Sequence, residues 1–132
     1  MVEFHAWITI RETYQAVDNE EENIDVIVED IRNRIEKMQW MKPQIKAMNG
    51  EYFMEISSYS NHKAREIDEL FDLFSYITET ATGSYGLIYM LDDEDMDKSN
   101  EFQVFLISRG QIHTRKDTFL SPFIPIVEDP FE

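Results

Sequence analysis

Phe4, Ala6, Ile8 and Ile10 alternate with His5, Trp7, Thr9 and Arg11, and this period of two predicts a first strand. Trp7 stands on the polar side of that alternation, so the second face of the strand is expected to be partly covered or to lie at an interface. Further on, Ile24, Ile27, Val28, Ile31, Ile35 and Met38 recur at three- and four-residue spacing, which predicts an amphipathic helix bounded by Pro43. Asn19 with Glu22, or Asp18 with Glu21, fits its N-terminal cap. Ile45, Ala47 and Met48, then Asn49-Gly50, then Tyr52, Met54 and Ile56 read as a hairpin, because both turn residues tolerate positive φ. A second helix is predicted from Lys63 to Ala81, with Ile67, Leu70, Phe71, Phe74 and Ile77 buried and Gly83 as C-terminal cap. Extended runs at Tyr85–Leu91 and Phe102–Ser108 form a second hairpin, with Arg109-Gly110 at a turn and a short extension beyond it. The tail from Phe119 to Val127 is apolar but broken by prolines, and reads as an extended edge or strap.

The expected fold is therefore a single α+β domain over residues 1–132. Its mostly antiparallel sheet is covered by two helices in a two-layer arrangement of order β-α-ββ-α-ββ. Apolar residues make up 42 % of the chain, with nine Phe, six Tyr and two Trp, enough for one core and too many for an acidic disordered tail. Cysteine is absent, which removes disulfides, thiolate catalysis and Cys-ligated metals. The opening MVEFHAWITIRE lacks the basic region and apolar run of a signal peptide, and no stretch approaches the ~18 apolar residues of a membrane span. The expected location is the cytoplasm.

Charge changes the picture most. The chain has 27 acidic side chains against 12 Lys and Arg, a net charge of -15, which repels phosphate backbones and anionic membranes and attracts basic surfaces. The acids cluster at Asp18, Glu20, Glu21 and Glu22, at Asp92, Asp93, Glu94, Asp95 and Asp97, and at Glu128, Asp129 and Glu132. An EF-hand loop counted from Asp93 would need Gly and Glu where Lys98 and Val104 stand, so no calcium motif is present. Gly83-Ser84-Tyr85-Gly86 fits neither a phosphate loop nor a nucleophile elbow; Gly83 reads as a cap and Gly86 as a close approach at a strand start. His5, His62 and His113 have no metal-ligand spacing, and no cofactor motif occurs. A binding module is favoured, with the acids steering a basic partner and Tyr59, Trp7 or Trp40 supplying short-range contact. A small hydrolase or isomerase pairing a carboxylate with His62 is the alternative, and an acidic adaptor protein is another.

Particular strings carry more. Glu3-Phe4-His5-Ala6-Trp7-Ile8-Thr9-Ile10-Arg11-Glu12, Ser60-Asn61-His62, Gly83-Ser84-Tyr85-Gly86-Leu87-Ile88-Tyr89, Asp92-Asp93-Glu94, Asn100-Glu101-Phe102, Arg109-Gly110 and Phe119-Leu120-Ser121-Pro122 through Glu128-Asp129 run in order over nearly the whole chain. In these the chain resembles the Imm7 family of bacterial immunity proteins from polymorphic toxin systems. It departs from the family pattern at Ala6, where glycine is usual, and at Lys63, where arginine is common. The resemblance implies a cytoplasmic α+β protein, not an enzyme, that binds and inhibits a cognate toxin domain. A small acidic protein can mimic nucleic acid, so a basic nuclease is one kind of domain that fits. On charge and exposure, the expected partner-binding residues are Asp92, Asp93, Glu94, Asp95, Asp97, Asp18, Glu20, Glu21, Tyr59, Asn61 and His62.

Overall fold

The structure, a computed structural model, describes residues 1–15, 23–61 and 65–131. Its first strand, β1 (Val2–Ile10), is the centre of a wholly antiparallel sheet. It buries Val2, Phe4, Ala6, Ile8 and Ile10 on one side. Helix α1 (Ile24–Lys37) follows, then the hairpin of β2 (Gln44–Met48) and β3 (Glu51–Ser60), helix α2 (Arg65–Thr80), and strands β4 (Tyr85–Asp92), β5 (Gln103–Ser108) and β6 (Gln111–Lys116). A single helical turn, α3 (Phe123–Ile126), lies in the tail. The strand order is β2-β3-β1-β4-β5-β6.

The two helices, the two-layer α+β form and the first hairpin agree with the sequence pattern. Asn49 and Gly50 have φ of 51° and 81°, as a tight hairpin turn requires. The element order differs from expectation. Arg109 and Gly110 also have positive φ, 52° and 74°, and this two-residue turn sends the chain back as a sixth strand instead of a short extension. Ile112 is the one aliphatic side chain between Gln111 and Lys116, so that strand left little apolar signal. In the tail, α3 is a correction of a different kind, a helical turn interrupted by an extended Ile124 (φ -103°, ψ 116°).

Both long helices lie on one face of the sheet. Val28, Ile31 and Ile35 of α1 and Ile67, Leu70, Leu73, Phe74 and Ile77 of α2 meet the inward side chains of β1, Met54 of β3, Ile88 and Met90 of β4, and Ile107 of β5. Phe4 packs edge-on against Phe71, whose ring in turn contacts Phe105. The Tyr76 hydroxyl donates to Asp30 between the helices, and the Arg34 guanidinium lies 3.4 Å over the Tyr76 ring. Helix α1 ends at Lys37, well short of Pro43, and Met38 after it is extended. The Glu69 carboxylate then accepts the N–H groups of Gln39 and Trp40. At its other end the cap position is Asn23, whose N–H donates to Glu12 at 3.2 Å; Asp18, Asn19, Glu21 and Glu22, proposed for the cap, lie outside the described residues.

Gly83 departs from its predicted role. It lacks the left-handed backbone of a capping glycine, and it is small because a Cβ there would stand 2.3 Å from the Thr13 carbonyl oxygen. Gly86 is the close approach expected of it, since a Cβ would fall 2.0 Å from the Trp7 carbonyl oxygen. Between them Ser84 is buried and its hydroxyl accepts the Arg11 N–H at 3.1 Å. The Gly-Ser-Tyr-Gly string is thus a clamp on the end of β1.

Backbone cannot yield as a side-chain tip does, so Gly86→Ala is expected to cost about 3 kcal/mol in urea unfolding. Gly50→Ala meets nothing within 4 Å and pays only for its φ of 81°, a loss of about 1–2 kcal/mol.

Candidate interaction surface

A strand alternates its side chains, so the face of the sheet away from the helices carries Glu3, His5, Trp7 and Thr9 of β1 and their register partners. These are Tyr59, Ser57, Glu55 and Phe53 of β3, and Leu91, Tyr89, Leu87 and Tyr85 of β4. No described helix covers Trp7 or Tyr85, which stay 45 % and 43 % exposed. Their rings meet edge to face with centroids 6.2 Å apart, and Phe53 and Tyr59 are exposed on the same face. A groove of about 720 Å³ runs along it, lined by His5, Trp7, Gln44, Glu55, Ser57 and Tyr89 among others.

His5 holds a polar chain across the groove floor. Its Nδ1 is 2.9 Å from the Ser57 hydroxyl and its Nε2 is 2.7 Å from a Glu3 carboxylate oxygen. Serine, histidine and glutamate in that order have the connectivity of a hydrolytic triad. Their setting does not, because an oxyanion needs convergent N–H donors above the face. The backbone donors of β1 lie in the sheet plane and serve its ladders to β3 and β4. The chain of bonds fixes the His5 ring as part of a surface.

The far side of this face is closed by the tail. Tyr89 stacks on Phe102, with centroids 4.6 Å apart, and Phe102 contacts Phe123. Asn100 ties α3 down: its side chain exchanges hydrogen bonds with the Ile124 main chain at 2.8 and 3.1 Å. The tail therefore is a strap, as its prolines suggested. Asp117 organises it. This buried carboxylate accepts from the Ser121 hydroxyl at 2.6 Å, from the N–H groups of Phe119 and Leu120, and from the Tyr89 hydroxyl. Burial raises the Asp117 pKa, but the hydrogen bonds from Ser121, Tyr89 and the backbone outweigh that and hold it below the usual 3.8. The same burial, with the Asp117 contact, pushes the Tyr89 hydroxyl well above the ordinary tyrosine range.

The acidic loop meets this face at one end. Val2 is in register with Ser60 on one side and Asp92 on the other, which brings Tyr59, Asn61, Glu3, Asp93 and Glu94 to the same end of the sheet. The loop acids differ in role. Asp92 is only 5 % exposed and accepts the Glu94 N–H, so its carboxylate shapes the turn. Asp95 accepts the N–H groups of Asp97 and Lys98. Asp93 and Asp97 are exposed, and Asp93 pairs with the Met1 ammonium at 2.8 Å. Tyr59 and Asn61 are exposed as well. Asp18, Glu20, Glu21 and His62 lie outside the described residues. Among the described residues, no three His, Asp or Glu side chains converge as a cation site, and no helix is long and apolar enough to cross a membrane. Sequence reading passed over Tyr85, Phe53, Asp117 and the His5 chain; alternation from Trp7 could have pointed to the first two, once the pairing of β1 was known.

The class is an acidic two-layer α+β domain in which, among the described residues, both long helices cover one face of the sheet and only the tail strap covers part of the other. The chain belongs to the Immunity protein 7 family, whose model matches residues 1–129. Membership carries a general immunity role, the binding of a toxin. Comparison with curated proteins and with solved structures returned no significant match.

Folding lowers the Asp117 pKa, so its stabilising contribution is complete above the unfolded value near 3.8 and is lost as pH falls through the folded value. Asp117→Asn is expected to lose about 2 kcal/mol at neutral pH and to flatten the acid limb of the stability curve. Urea unfolding at about pH 7 and about pH 3 checks both; an unchanged acid limb would contradict the assignment.

Proposed function

We propose that this protein is a cytoplasmic immunity protein that neutralises a basic toxin domain by binding it, without catalysis, and covering a surface the toxin needs. The observation that carries this reading is the exposed aromatic pair Trp7–Tyr85 on a face that no described helix covers, in a chain of the immunity family whose acidic loop lies at the other end of the same sheet. The two features act at different ranges. A net charge of -15 attracts a cationic domain beyond contact and raises the encounter rate, with an effect that salt screens over about 10 Å. Contact then depends on desolvated rings, which hold far more binding energy than rim charges do. Asp93, Asp97, Tyr59 and Asn61 form an acidic rim at one end of the sheet, and Trp7, Tyr85 and Phe53 lie toward the other. Asp92 and Asp95 support the rim by shaping its turn. The toxin's activity enters only as charge: a nuclease fits because its substrate groove is cationic.

Charge and rings separate kinetically. Asp93→Lys with Asp97→Lys should slow association about 3- to 10-fold at low salt, with dissociation little altered. Trp7→Ala with Tyr85→Ala should speed dissociation about 10-fold or more. Surface plasmon resonance against the cognate toxin domain, repeated at rising salt, reads both; absence of any complex at low salt would sink the reading.

A further inference from the structure

Strand β2 is too short for its partner. It pairs with β3 only from Met48↔Glu51 to Gln44↔Glu55, while β3 runs on to Ser60 with β1 on its other side. Beyond Glu55, no described strand lies along that side of β3.

The direction of the unpaired groups follows from the hairpin. A two-residue turn at Asn49-Gly50 makes Met48↔Glu51 a pair that exchanges both backbone bonds. Bonding alternates along a strand, so Glu51, Phe53 and Glu55 face β2, and Ile56 and Ser58 face β1. Ser57 and Tyr59 therefore turn their N–H and C=O groups outward. The β5–β6 hairpin gives the same alternation, carried through β4 and β1.

Natural edges are guarded by charge or proline. The outer edge of β2 has Lys46 at its middle and Pro43 just before it, and β6 has Arg115 and Lys116. The stretch Ile56-Ser57-Ser58-Tyr59 has neither. It opens instead on the 720 Å³ groove, lined here by Lys42, Gln44, Glu55, Ile56 and Ser57, where a continuation of β2 would run. The attraction for a cation is that of the whole chain, at a net charge of -15. Around this space Glu55 is paired with Lys46 at 2.6 Å, Glu3 is bonded to His5 at 2.7 Å, and Lys42 donates to the Glu36 carbonyl at 3.0 Å.

We propose that an extended, basic segment of the toxin domain adds as a strand along Ile56–Tyr59, in line with β2, its main chain bonding Ser57 and Tyr59. This rests on the immunity reading above and adds to it the mode of recognition. Backbone bonds would supply affinity that does not depend on side chains, while the net charge of -15 favours a basic segment. A second copy of this chain is the poorer occupant, because each copy has a net charge of -15 and the two repel.

Hydrogen exchange on the full chain, alone and with the toxin domain, tests the proposal. The Ser57 and Tyr59 amides are expected to exchange at least about 10-fold more slowly in the complex. Ser57→Pro, which removes an outward N–H that no described ladder uses, should weaken binding about 10-fold or more. A complex that forms without slowing these two amides, or that protects the outer edges of β2 or β6 instead, overturns the proposal and leaves the immunity reading intact. Slow exchange at Ser57 and Tyr59 without toxin, with a dimer mass in solution, assigns the edge to a second copy and also overturns it. Failure to form any complex counts against the immunity reading itself.

Discussion

Two helices can cover only one face of this sheet. Six strands about 4.8 Å apart make a layer roughly 25 Å wide, and two helices about 10 Å across nearly fill one side of it. With both apolar helical stripes turned to the same face, the other face must be finished by something else. Here the C-terminal strap closes the β4–β5 side through Phe102, Phe123 and Asp117. Across β1 and β3 nothing described replaces it, and Trp7, Tyr85 and Phe53 remain in solvent. The clamp of Gly83, Ser84 and Gly86 on the end of β1 secures the strand that both faces share.

Large exposed rings on a monomeric surface are a liability unless a partner covers them. The strong negative charge offsets that liability by keeping copies apart, and it draws in a domain of opposite sign. Solubility, steering and contact are therefore linked on one sheet: the loop acids lie at its Val2–Asp92 end, and Trp7, Tyr85 and Phe53 toward the opposite end. Nothing in that arrangement calls for chemistry at His5, whose hydrogen bonds to Glu3 and Ser57 hold a ring in place within the surface.

How far the sequence could be read depended on whether the deciding contacts were local. Both helices were legible because Val28, Ile31 and Ile35, and Ile67, Leu70, Phe74 and Ile77, repeat at helical spacing. The Asn49-Gly50 turn carried its own signature. Strand β6 did not, because its register comes from a turn whose first residue, Arg109, gives no hint of positive φ. Composition marked the loop from Asp92 to Asp97 as acidic but could not tell the buried Asp92 from the exposed Asp93, since that depends on pairing with β1. The Asp117 hub was illegible for the same reason, as Tyr89 reaches it only after β4, β5 and the tail are assembled. The bare face was half visible: Trp7 on the polar side of β1 announced it, and only the strand order placed Tyr85 and Phe53 alongside.

The central claim is that the helix-free face, and not the helical layer, meets the toxin. Site-specific photo-crosslinking tests it most directly, with a benzophenone side chain at position 7 on that face and, as control, at position 26 on α1, where Val26 is 70 % exposed. The account predicts a crosslink to the toxin domain from position 7 and none from position 26. A crosslink from position 26 alone would contradict it.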